Sequence, residues 1–335
     1  MRMLIAGLIA TVVVAGGLAA YSASRTARLS ELHPPVGNFT RVDGLRMHYV
    51  QLGHRRAAPV VLLHGASGNL NDPMMALGER LAETKRVIAI DRPGHGWSER
   101  AEGPQSALPS DQARYVIGVL DNLKIDRAVI VGHSWSGALA LTLALDYPDR
   151  VAGLMLLAPA SHPWPGGVRW YYTLASLPAL GHLFTQTLVL PFGEMLVRPA
   201  VRRSFAPQEP PSGYLPNSGA ALVLRPPDFR ANATDMAKLL DFLADQAPRY
   251  AELSLPTVII TGNADKTVAP RIHSRPLAGQ IAGARLIEFD GVGHMPHHAD
   301  PDRVVDEIKQ LAAELDPPIG GRGPKTAGTE ETTVQ

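Results

Sequence analysis

Six short apolar runs, each bounded by glycine, proline, aspartate or asparagine, set the tightest limit on how this chain folds. They are VVLL at 60–63, VIAI at 87–90, AVIV at 128–131, VAGLMLL at 151–157, VII at 258–260 and LI at 286–287. A half-buried strand alternates apolar and polar residues. Runs without that alternation fit strands covered on both faces, as in a parallel sheet. Stretches of helical character at 74–84, 110–123, 136–147 and 303–315 fall between or after them. The predicted fold is therefore α/β, a mostly parallel central sheet with helices on both faces. Asp43-Gly44, between apolar-alternating segments at 39–42 and 45–52, predicts a leading hairpin. The alternation stops between 161 and 248, a stretch rich in Pro and aromatics with apolar helical pieces at 180–197 and 236–243. That stretch reads as an inserted helical lid.

The ends differ from the body. MLIAGLIATVVVAGGLAAY at 3–21 is uncharged, with Arg2 before it and Arg25 and Arg28 after it. About 20 apolar residues cross a bilayer, so residues 1–24 read as a transmembrane anchor, with a cleaved secretory signal as the alternative. The expectation is a single-pass, membrane-anchored protein whose main body lies outside the cytoplasm. The stretch from Asp316, DPPIGGRGPKTAGTEETTVQ, has little to bury and reads as a disordered tail, 316–335. The body then divides into a first part, 36–160, the lid, 161–248, and a second part, 249–315. The net charge of +1 over 335 residues offers no broad attraction to nucleic acid. The chain has no cysteine, which excludes disulfides, thiolate catalysis and cysteine-held metals.

The run at 128–131 is followed at once by GHSWSG, 132–137, and then by helical sequence. A strand feeding directly into a helix makes a sharp turn. The apex residue is strained, and the residues two positions away must be small. Gly132 and Ser136 stand there, with Ser134 at the apex. A serine nucleophile needs a base, and the base needs a carboxylate to set its tautomer. His294 follows the last run in GVGHMP, and Asp265 follows the run at 258–260 in TGNAD. The order Ser, Asp, His, each at the C-terminal end of a strand, is the one this architecture uses. Two backbone N–H groups must hold the oxyanion. Trp135, which opens the helix, supplies one, and Ala66, in the loop HGASG at 64–68, is placed for the other.

These segments resemble the α/β-hydrolase superfamily, in particular its lid-bearing esterase, peroxidase-like and C–C hydrolase branch. LLHGASG at 62–68, DRPGHGWS at 91–98, GHSWSG at 132–137, TGNADKTVAP at 261–270 and GVGHMP at 291–296 carry the likeness, which covers about 36–315. It implies Ser134 as nucleophile, Asp265 as acid, His294 as base, and Ala66 and Trp135 as oxyanion donors. The departure is Ser136, where the usual pattern has glycine. Epoxide hydrolases and dehalogenases of this superfamily carry a carboxylate where Ser134 stands, so they are disfavoured. The expected activity is hydrolysis of an ester-like bond in an apolar small molecule through an acyl-enzyme, with no cofactor or metal. The alternatives are C–C hydrolysis beside a carbonyl or peracid formation by the same triad. Outside catalysis they are a slow-turnover ligand-binding or sensor protein, or a membrane-anchored partner protein working through its lid.

Other residues read as structural. Asp91 is expected to bond turn amides, and His64 to tie down the oxyanion loop. Asp290 reads as a strand-end residue. His297 and His298 invite a metal, but no third ligand is visible near them. Trp164, Trp170, Tyr171, Tyr172, Phe184 and Phe192 serve either the lid core or a substrate pocket. Arg198, Arg202 and Arg203 form a basic cluster near Phe205 that reads as a solvated face, with a substrate carboxylate or anionic headgroups as its alternative partners.

Overall fold

All six apolar runs are strands of one eight-stranded sheet, joined by the leading hairpin. A computed structural model describes residues 1–315, so the expected tail lies outside the described residues. The strands are β1 (Asn38–Val42), β2 (Leu45–Leu52), β3 (Pro59–Leu63), β4 (Arg86–Ile90), β5 (Ala128–His133), β6 (Val151–Leu157), β7 (Thr257–Gly262) and β8 (Arg285–Phe289). They run in the order β1-β2-β4-β3-β5-β6-β7-β8. β1 and β2 pair antiparallel, β2 is antiparallel to β4, and every later pairing is parallel. Asp43 and Gly44 both take positive φ, 47° and 83°, the backbone twist a two-residue hairpin turn demands.

The apolar runs split by parity between two cores. Val61, Leu63, Ile88, Ile130 and Ile259 face one side, with the helices Pro109–Asn122 and Trp135–Asp146. Val60, Leu62, Val87, Val129 and Ile260 face the other, with Leu77, Leu81 and the helix Pro301–Ala312. The inner strands β3 to β7 thus bury both faces, which is why their apolar runs lack a polar alternate.

No strand interrupts the segment between β6 and β7. It holds the helices Trp170–Ser176, Pro178–Phe184, Leu190–Phe205, Tyr214–Ser218 and Pro226–Gln246. The last is far longer than the apolar piece at 236–243 predicts, because Asn232 and Asp235 on it are buried against polar partners rather than apolar ones. The N-terminal helix also exceeds its expected bound. It runs unbroken from Arg2 to Leu32, and its last third is docked: Ser22 and Leu29 are buried, Leu29 beside Val189 and Leu190 of the lid.

Candidate active site

Ser134 sits at the turn between β5 and the helix Trp135–Asp146 with φ 54° and ψ −116°, a conformation side chains rarely adopt. The surroundings hold it there. Its N–H donates to the Leu157 carbonyl at 2.9 Å, and its own carbonyl accepts from Gly137 at 2.8 Å and Ala160 at 2.9 Å. A Cβ at Gly132 would collide with the Ser136 carbonyl oxygen, so glycine is required at that position. Ser136, the departure from the usual pattern, is fully buried, and its hydroxyl donates to the His64 carbonyl at 2.5 Å. The extra hydroxyl therefore ties the turn to the loop after β3.

The loops after β7 and β8 bring the other two predicted residues to Ser134. Asp265 Oδ1 accepts from the N–H groups of Thr267 at 2.7 Å and Val268 at 3.0 Å. That leaves Oδ2 to accept from His294 Nδ1 at 2.7 Å. With Nδ1 donating, His294 Nε2 is the acceptor for the Ser134 hydroxyl, 2.9 Å away. All three side chains are buried. His133 Nε2 donates to the His294 carbonyl at 3.0 Å. Gln208, from the lid, brackets the same loop through Gly291 at 2.7 Å and Gly293 at 3.0 Å. Asp290 is engaged with Asn263 at 2.8 Å, the strand-end role expected of it.

The loop holding Ala66 lies against Ser134: a Cβ on Gly65 would stand 3.1 Å from the Ser134 Cβ. The amides of Ala66 and Trp135 donate to no other group among the described residues. His64 anchors this loop. Its Nε2 accepts from the Arg92 N–H at 3.0 Å, and its Nδ1 lies 2.8 Å from the Gly65 carbonyl. Burial, then the charge of Arg92, lowers the His64 ring to about 3, so it stays neutral. Asp91 accepts from the N–H groups of Leu70 at 2.7 Å and Trp97 at 2.9 Å, the turn-bonding role expected. Arg92, fully buried, stacks on Trp135 at 4.0 Å and pairs with Asp235 of the lid at 2.7 Å. Asn232 of the same lid helix accepts from the Ser67 N–H at 2.7 Å. Sequence reading missed these lid partners, because nothing local marks a carboxylate some 140 positions away as the mate of Arg92.

It also missed the group beside His297 and His298. Asp72 accepts from His298 Nε2 at 2.9 Å, from His297 Nε2 at 3.3 Å and from the Tyr214 hydroxyl at 2.7 Å. Asp72, His297 and His298 lie within 4.8 Å of one another, so the third potential ligand comes from far upstream. Burial favours the neutral Asp72 carboxyl, but the hydrogen bonds and charge of His297 and His298 outweigh it and hold the group well below its ordinary value. The aromatic candidates divide. Tyr171, Tyr172 and Phe184 gather around Phe229, whereas Trp170 and Phe192 are exposed. Arg198, Arg202 and Arg203 are exposed on the lid.

A serine hydroxyl 2.9 Å from a histidine whose other nitrogen faces a carboxylate, beside two unengaged amides, is an arrangement that can carry acyl chemistry. Comparison with known proteins agrees with that reading of the fold. The alpha/beta hydrolase fold family matches residues 58–301. The chain is 32% identical over 301 residues to 2-hydroxymuconate semialdehyde hydrolase of Pseudomonas putida, covering 84% of this chain and 96% of that one. It is 29% identical over 273 residues to 2-hydroxy-6-oxo-6-phenylhexa-2,4-dienoate hydrolase of Burkholderia cepacia, covering 77% and 89%. The enol-lactonase from Burkholderia xenovorans shares the fold, with a TM-score of 0.65 at 23% identity over 82% of this chain and 100% of that one. The chain belongs to the alpha/beta hydrolase fold family.

Proposed function

We propose that the protein is a serine hydrolase that cleaves a C–C bond beside a carbonyl in a small, largely apolar molecule. The observation that carries the hydrolase reading is the continuous Asp265–His294–Ser134 chain of contacts, at 2.7 and 2.9 Å. The choice of bond rests on likeness to the two hydrolases named above, whose substrates contain no ester. His294 takes the Ser134 proton as Oγ adds to the carbonyl carbon, and the resulting oxyanion rests on the Ala66 and Trp135 N–H groups. Collapse breaks the adjacent C–C bond. The leaving carbon receives the proton from His294 and departs as the neutral fragment. Water, deprotonated by the same histidine, then releases the acyl group from Ser134 as a carboxylic acid.

One observation supports ester hydrolysis as a second reading. Arg92 and Arg100 pair with Asp235 at 2.7 and 2.8 Å, and Arg225 pairs with Asp228 at 2.7 Å. Each of these guanidiniums is already held by a carboxylate, Arg92 and Arg100 sharing one, so none stands free to meet a substrate carboxylate, which favours an uncharged substrate over the carboxylates named for the relatives.

A paired assay tests both readings. Turnover of 2-hydroxymuconate semialdehyde and 2-hydroxy-6-oxo-6-phenylhexa-2,4-dienoate is compared with that of p-nitrophenyl esters, alongside labelling by a fluorophosphonate. Labelling is expected in the native chain and lost in Ser134→Ala. A kcat/KM higher for the esters reverses the order of the two readings. Labelling that survives Ser134→Ala removes both, and labelling without turnover of any substrate moves the site to the sensor class.

A further inference from the structure

The lid carries an unusual amount of bare apolar surface. Trp170, Leu180, Leu183, Phe192, Met195 and Leu196 are exposed, Met195 to 74%. They lie on Trp170–Ser176 and on the helical run Pro178–Phe205, which meet at a bend of 113°. A patch of this kind on a water-soluble face is an aggregation liability, and it marks a surface that something apolar covers.

The N-terminal helix indicates what covers it. Arg2–Leu32 is the one helix among the described residues that alone is long and apolar enough to cross a membrane, and its most apolar window is wholly unburied. The helix is continuous into a docked segment, so its position relative to the lid is set. A groove of about 570 Å³ separates the two, lined by Ala10, Val14 and Leu18 on one side and Leu180, Leu183 and Phe184 on the other. At ~1.5 Å per residue, positions 10 to 18 of a span ending near Tyr21 lie from just inside the interface to about mid-bilayer. The lid residues across the groove share that depth.

The polar contacts agree with such a depth. Glu194 is the single carboxylate between 178 and 205. It accepts from the Tyr21 hydroxyl at 2.8 Å and from Arg25 Nε at 2.7 Å, and it pairs with Arg25 Nη2 at 2.6 Å. A carboxylate near hydrocarbon persists when it is paired, and tyrosine and arginine are interface residues. Thr11, on the span, returns its hydroxyl to the Gly7 carbonyl at 3.0 Å, leaving no donor to the lipid. Arg198 and Arg203, exposed one to three turns beyond Glu194, stand where anionic headgroups would meet them.

We propose that the lid is itself a membrane-binding surface: Trp170–Ser176 and Pro178–Phe205 lie in one leaflet beside the N-terminal helix, and the groove between them holds a lipid acyl chain. The occupant is bilayer lipid. This assignment goes beyond the hydrolase reading and does not depend on it.

The chain has no cysteine, so single cysteines report without background. Leu183→Cys and Met195→Cys in the full chain are labelled with an environment-sensitive fluorophore. Val14→Cys serves as the span reference, and Asp306→Cys, exposed on the helix Pro301–Ala312, as the solvent reference. The proteins are reconstituted in phosphatidylcholine vesicles containing some phosphatidylglycerol, with bromine on the acyl chains. The proposal expects a loss of emission at 183 and 195 comparable with that at 14, and none at 306. Quenching at 14 without quenching at 183 and 195 overturns it. So does shielding of 183 and 195 that comes from a cross-linkable second copy or another protein. Repeating the measurement in Ser134→Ala keeps the outcome separate from the reaction: lid quenching there leaves this proposal standing whether or not the native chain turns over any substrate, and its loss there overturns it.

Discussion

The Ser136 hydroxyl donates to the carbonyl oxygen of His64 at 2.5 Å, joining the turn that carries Ser134 to the loop that carries Ala66. Both groups are buried, so the carbonyl has no water to turn to if the donor is removed. Leaving a buried acceptor unpaired costs about 1–3 kcal/mol. Ser136→Ala should therefore loosen the oxyanion loop, and kcat should fall roughly 10- to 100-fold with KM little changed. Steady-state kinetics on the best substrate check this. A rise in KM at constant kcat would mean that the contact serves substrate binding instead.

Asp290 lies four residues before His294 and Asp265 twenty-nine, yet it is Asp265 that meets the ring. Asp265→Asn should lower kcat by about 10⁴-fold, because an amide can stabilise the wrong imidazole tautomer and cannot stabilise an imidazolium. Asp290→Asn should leave kcat within about twofold, as its contact to Asn263 lies on the surface. Equal losses in the two variants would refute the assignment of the acid.

Arg92 and Asp235 are both fully buried, 2.7 Å apart, and link the loop after β4 to the lid helix. Gln112 donates to the same carboxylate at 3.1 Å. Breaking a buried pair strands a charge and costs about 3–5 kcal/mol. Asp235→Asn is expected to lower the thermal midpoint by roughly 10 °C. Arg92 also covers Trp135, so activity should fall below the melting range as well. A calorimetric scan with parallel assays reads both effects.

His64 links stability to pH. Its folded value of about 3 lies below the ~6.5 of an unfolded histidine. Between those values the unfolded chain binds more protons. The contribution of His64 is therefore complete above about pH 6.5 and declines as the pH falls toward 3, by up to ~1.4 kcal/mol per unit. Burial shifts His95 and His133 the same way. Denaturant unfolding at pH 7 and pH 5 should show a difference smaller by about 2 kcal/mol in His64→Asn than in the native chain. An unchanged difference would place the acid sensitivity elsewhere.

The parity of Val60, Val61, Leu62 and Leu63 alone specifies a strand with two covered faces, and six such runs predict a parallel sheet. Ser134 between Gly132 and Ser136 was legible for the same reason, since a strand-to-helix turn constrains its immediate neighbours. Asp265 and His294 followed because the fold sets where strand ends converge. The partners of charge and hydroxyl were not legible. Asp235 for Arg92, His64 for Ser136, Asp72 for His298 and Glu194 for Arg25 are chosen by long-range packing, and a buried polar group leaves no periodic trace in the residues beside it. The N-terminal helix shows the same division: its apolar stretch is written plainly in residues 3–21. That the helix runs on to Leu32 and docks against the lid was decided by contacts with Val189 and Leu190, which exist only once distant segments share a core.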